Sequence, residues 1–150
     1  MREKLKVRCS HHARTQRWLR AIIATTVVLH LVVLFWHGAA HADIPVPLTS
    51  LQLVFVIVVT YILPVVGGIL VWTEMRVTGA WLVTLSMLAS LLFGFINHFM
   101  RASPDYVLEV PDNAWRHSFV VSAALLAVVE TVGTVVGAVA VWSWTGERQP

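Results

Sequence analysis

The sequence predicts an all-α integral membrane protein, with four transmembrane helices in an up-down-up-down bundle. Three observations carry that expectation. Of the 150 residues, 57% are hydrophobic and only 13% are charged, whereas a soluble domain is usually about a quarter charged. The mean hydropathy is +0.74. The apolar residues gather into four stretches, each near the roughly 20 residues that a helix needs to cross about 30 Å of hydrocarbon. Nothing alternates with a period of two over segments of about ten residues, which argues against a β-barrel. In lipid the backbone must satisfy its own hydrogen bonds, and that leaves helices.

The same composition excludes a soluble globule and a disordered chain. The single cysteine, Cys9, excludes a disulfide framework, a CxxC redox centre and a thiolate zinc site built within one chain. There is no Walker loop, no Rossmann glycine fingerprint and no GxSxG elbow, so soluble-type catalysis by the chain alone has no support.

A single membrane domain, 1–150, reads as follows. Residues 1–17 form a basic tail. Spans cover about 18–37, 51–73, 79–99 and 117–144, with longer connections at 38–50 and 100–116 and a short turn near Met75–Thr78. Trp18, Trp36, Trp72, Trp81, Trp115, Trp142 and Trp144 all fall at or near span ends, where an indole places its N–H at headgroup level.

Lysine and arginine set the expected orientation. Arg2, Lys4, Lys6, Arg8, Arg14, Arg17, Arg20, Arg76 and Arg148 lie on one side, and only Arg101 and Arg116 on the other. By the positive-inside rule both termini are cytoplasmic, in a cell (inner or plasma) membrane, and the loops 38–50 and 100–116 face outward. The basic tail suits anionic lipid headgroups rather than nucleic acid. Residues 1–42 also carry a signal-peptide pattern, with Ala40-His41-Ala42 before Asp43. The long basic region and the interrupting His30 and His37 count against cleavage, which would leave three spans.

Small and polar residues mark the faces that avoid lipid. In span four these are Ala123, Ala127, Glu130, Thr134 and Gly137, with Gly133 and Gly137 forming a GxxxG pair. Span three offers Ser86, Ser90, Gly94 and Asn97. Span two offers Thr60, Pro64, Gly67 and Glu74, with Gly67 and Gly68 as a further contact. These glycines are expected to pack helices within the chain or against another membrane subunit or a second copy. Pro64 is expected to kink its helix. In the loop 100–116, Ser103-Pro104-Asp105 and Pro111-Asp112-Asn113 signal turns, and Val107, Leu108 and Val110 suit a segment lying at the interface.

Glu130 is the residue the bilayer notices most. It lies about twelve residues into span four, roughly 18 Å deep, where a charge costs at least a few kcal/mol. A protonated acid bonded to a neighbouring hydroxyl or carbonyl accounts for it structurally. A proton relay, a metal ligand or a histidine partner are the functional readings.

The histidines form the most informative pattern. His30, His37 and His41 make one stripe on span one if the helix continues to residue 41. His37, His41, His98 and His117 come to one membrane level from three spans, with Asp43 close behind and Asp105 or Glu109 as further oxygen donors. Neutral imidazole is the commonest metal ligand, so a transition metal such as zinc, copper or iron is expected there, or a haem held by His37 and His98. His30 lies about 10 Å deeper, nearer the level of Glu130, and the two form a buried polar station. The competing reading takes these histidines as headgroup contacts. Three roles follow: a metal or haem protein, a non-catalytic accessory subunit of a larger membrane complex, and a small proton-coupled transporter that would have to oligomerise.

Overall fold

A computed structural model describes residues 2–44 and 46–146, with side chains from residue 14 onward. The side chains of Arg2, Lys4, Lys6, Arg8, Cys9, His11 and His12, and the whole of Arg148, lie outside the described residues. All regular structure among the described residues is helical: α1 (Arg2–Asp43), α2 (Ser50–Leu70), α3 (Arg76–Met100) and α4 (Arg116–Gly146). Each contains a stretch long and apolar enough to cross a membrane.

Helix α1 is longer than the sequence suggests at both ends. Residues 2–36 contain neither glycine nor proline, so nothing stops the helix short of the basic tail. Beyond His37 the run Gly38-Ala39-Ala40-His41-Ala42 is mostly alanine, the best helix former. Residues 38–43 are therefore helical rather than loop, and Ile44 N closes the last turn onto the Ala40 carbonyl at 3.2 Å. Pro45 and Pro47 in the following sequence disfavour continuation. The helical extension carries His41 onto the same stripe as His37.

Helix α2 opens with a capping box. Gln52 N donates to Thr49 Oγ1 at 3.3 Å, and Thr49 N donates to Gln52 Oε1 at 2.9 Å. Its middle, Val56–Ile62, widens into a π-helix just ahead of Pro64. Helix α3 ends in a second π-helical turn, Ile96–Met100. Such turns are rare and cluster at functional sites.

The most extensive packing is between α3 and α4, followed by α2 with α3 and α1 with α4; α1 packs more lightly on α2. Gly67 and Gly79 let α2 and α3 cross almost backbone to backbone. A Cβ on Gly67 would stand 2.8 Å from the Gly79 carbonyl oxygen, and one on Gly79 would stand 2.7 Å from that of Gly67. Gly133 lies against Met87 and Thr26, Gly137 against Thr84 and Ala80, and Gly68 against Val27. All four glycines singled out as contact faces thus meet residues of their own chain.

The main core joins Ile23, Val27, Val83, Met87, Ala140 and Trp144. Trp144 departs from the headgroup role expected of it. It is 0% exposed whereas Trp142 is 80% exposed. Two residues turn a helix by about 200°, so the two indoles face opposite ways, and Arg76 lies 5.7 Å over the Trp144 ring. A smaller core at the other end joins Ala40, Ile44, Val107, Val110, Phe119 and Ala123. Here too the expectation changes. Val107 and Val110 turn inward and only Leu108 stays exposed, because the loop folds back so that Val107 N donates to the His98 carbonyl at 3.0 Å.

Candidate metal centre

Three imidazoles meet under that loop. His37 and His41, one turn apart on α1, converge with His98 from the π-helical end of α3, and one ligating atom from each lies within 4.8 Å of the others. The rings contact edge to face, with centroids 4.7 Å apart for His37 and His41 and 4.9 Å for His37 and His98. Phe119 of α4 packs against all three. His37 and His98 are buried and His41 is partly exposed.

Hydrogen bonding fixes which nitrogen of each ring carries its proton. His41 Nδ1 faces the Ile44 carbonyl at 3.3 Å, and His98 Nδ1 faces the Asp105 carbonyl at 3.1 Å. A carbonyl only accepts, so both Nδ1 atoms are donors. His37 Nδ1 lies 2.9 Å from Ser122 Oγ, whose own proton goes to the Phe119 carbonyl at 3.0 Å. That Nδ1 is a donor as well. In the neutral rings every Nε2 then holds a bare lone pair.

Two of these lone pairs confront each other: His37 Nε2 and His41 Nε2 are 3.1 Å apart. Asp105 Oδ1 lies 3.6 Å from His41 Nε2 and 3.3 Å from His98 Nδ1. It is buried without a hydrogen-bond partner. A shared proton or a metal ion would satisfy the facing pair. Two nitrogens on a tetrahedral zinc ion are about 3.3 Å apart, given Zn–N bonds of about 2.0–2.1 Å, close to the spacing seen here. Protein partners that fix the far nitrogen of each ring are the usual support of metal-binding histidines.

The remaining expected ligands stand elsewhere. His117, Asp43 and Glu109 are exposed. Phe119 and Ser122 face the rings, and His117, two residues before Phe119, points about 200° away around α4. Asp43 is displaced from His41 by the same angle, and its carbonyl accepts from Asn113 Nδ2 at 3.3 Å. Of the three outer acids weighed, Asp105 is the one delivered. Its turn is held by Ser103, whose hydroxyl donates to the Asn97 carbonyl and accepts from Asp105 N, both at 3.3 Å.

A second polar group lies deeper. Pro64 has no N–H to give the Thr60 carbonyl one turn earlier, and His30 Nε2 supplies the donor instead at 3.0 Å. His30 Nδ1 is thereby left as an acceptor, 3.7 Å from Glu130 Oε1. Ser90 Oγ donates to that same oxygen at 2.5 Å and lies 3.2 Å from Thr60 Oγ1. All four residues are buried.

A cavity of about 570 Å³ connects the two groups. Its lining includes His37, His41, His98 and Asp105 together with Ser90 and Glu130, and is otherwise largely apolar. Such a volume suits a small-molecule site. Glu130 is eight residues beyond Ser122 on α4, about 12 Å along the helix. No protein family, curated protein or solved structure matches the chain; the chemistry of the site carries its interpretation.

Proposed function

We propose that the chain is an integral membrane protein that binds a divalent transition metal through His37, His41 and His98, with Asp105 as an oxygen ligand. The four helices cross a cell membrane in up-down-up-down order with both termini cytoplasmic. The histidine end faces outward, and His30 with Glu130 serves beneath it as a proton or ion station. The observation that carries the reading is the convergence of three imidazoles: a ring nitrogen of each lies within 4.8 Å of the others, and the Nε2 atoms of His37 and His41 face each other at 3.1 Å. The orientation rests on the excess of lysine and arginine on the opposite side.

The ligand set favours an ion over haem. Imidazole with carboxylate suits zinc and its divalent neighbours. Two imidazoles that ligate one haem iron from opposite faces need the porphyrin between them. His37 and His98 touch each other, with ring centroids 4.9 Å apart.

Metal analysis of detergent-purified protein after zinc loading and dialysis tests the proposal. At least about one equivalent is expected to be retained by the wild type and lost by His37→Ala and His98→Ala. Less than about a tenth of an equivalent in the wild type contradicts it. A reporter fused to the C-terminus should remain cytoplasmic, and its export would overturn the orientation.

A further inference from the structure

Beneath the outer site, His30 offers an acceptor that the chain leaves empty. Its Nδ1 is fully buried and makes no hydrogen bond. It points towards a carboxyl oxygen 3.7 Å away. A neutral glutamic acid could satisfy it through an O–H···N hydrogen bond, but a separation of 3.7 Å exceeds hydrogen-bond length. Two ligand atoms on one tetrahedral ion, at about 2.0–2.2 Å each, are about 3.4 Å apart. The observed spacing is nearer that value. Ser90 Oγ donates to the same carboxyl oxygen at 2.5 Å; the two oxygens are too close to share one tetrahedral ion, so Ser90 holds the carboxylate in place.

We propose that His30 and Glu130, with the Ser90 hydroxyl holding the carboxylate, form a second station for the same divalent transition metal, filled from the outer site through the cavity that joins them. The inference rests on the outer site being a metal site, and it assigns the inner pair to the metal rather than to a proton alone. One imidazole and one carboxylate make a nitrogen–oxygen pair suited to zinc or cobalt. The carboxylate offsets part of the ion's charge in a poorly solvated place. The remaining positions fall to water from the cavity that Glu130 lines. Pro64 has a stated part in this arrangement. By orphaning the Thr60 carbonyl it draws the His30 proton to Nε2 and leaves Nδ1 turned to Glu130.

Cobalt(II) titration of the full-length protein in mild detergent, followed by visible absorption and by metal content after dialysis, separates the two stations. About two equivalents are expected in the wild type, about one in Glu130→Gln, and about one in His98→Gln. The glutamine at 130 keeps the shape and the acceptor for Ser90. His30→Gln should reproduce the loss seen in Glu130→Gln and provides a second route if either variant folds poorly. One equivalent in the wild type, abolished by His98→Gln, would overturn the inner station and leave the outer one standing. Two equivalents retained in Glu130→Gln and His30→Gln would also overturn it. No binding by the wild type would remove both.

Discussion

The two ends of this bundle solve opposite problems with the same four helices. At one end α2, α3 and α4 close on each other through Gly67, Gly79 and Gly137, and Val83, Met87 and Trp144 fill what remains. At the other end the same helices hold a cavity of about 570 Å³ beside three imidazoles. In the membrane placement proposed above, lipid is as apolar as the side chains, so packing rather than hydrophobicity would hold the helices together. The close-packed end supplies that packing. The open end gives it up. Its unmet buried atoms, His30 Nδ1 and Asp105 Oδ1, are acceptors that a cation would satisfy, whereas Arg20 Nε and Trp144 Nε1 at the packed end are donors. Each unmet group costs about 1–3 kcal/mol.

Four substitutions sharpen the contrast. The largest effect belongs to the packed end. Gly79→Val places a side chain where even a Cβ would stand 2.7 Å from backbone atoms of α2. A loss of about 3 kcal/mol or more is expected, at the upper end of overpacking costs, read as a fall in thermal stability in detergent. An unchanged melting curve would mean the helices do not cross so closely. At the open end His98→Ala should leave the melting curve of the metal-free protein nearly in place. It should weaken zinc binding by more than about a hundredfold, beyond the 10–100-fold typical of losing only a ligand's supporting partner. Calorimetric titration checks this, and wild-type affinity would remove His98 from the site.

Ser122→Ala tests the anchoring rather than the ligand. It deletes the hydroxyl 2.9 Å from His37 Nδ1 and is expected to weaken the same titration by about 10–100-fold. No change would show that the tautomer is set in another way. The smallest effect is expected of His117→Ala, less than about twofold, because the ring is exposed on the far side of α4 and surface changes matter little. A large loss there would return His117 to the ligand set.

The sequence made the helices legible because four apolar stretches of about 20 residues, the length a membrane span needs, stand out by composition alone. It also brought His37, His41 and His98 to one level, since helix rise converts residue number into depth. Rotation about the helix axis was less accessible. An error of two residues in phase turns a side chain through about 200°, and that separates His117 from Phe119 and Asp43 from His41. Asp43 was the acid expected beside the histidines and Asp105 only a further choice, because the position of Asp105 depends on a loop folded back onto the His98 carbonyl. Trp144 was misplaced for a related reason: nearness to a span end does not say which way an indole faces. The link from Pro64 through the Thr60 carbonyl to His30 crosses two helices, and no pattern within either one announces it.

X-ray absorption at the zinc edge, on protein loaded with a single equivalent and washed, tests the central claim most directly. The account predicts a four-coordinate shell dominated by imidazole nitrogen with one oxygen, at about 2.0–2.1 Å, together with the outer-ring scattering that imidazole produces. A shell of oxygen atoms alone, without that outer-ring signal, would contradict it.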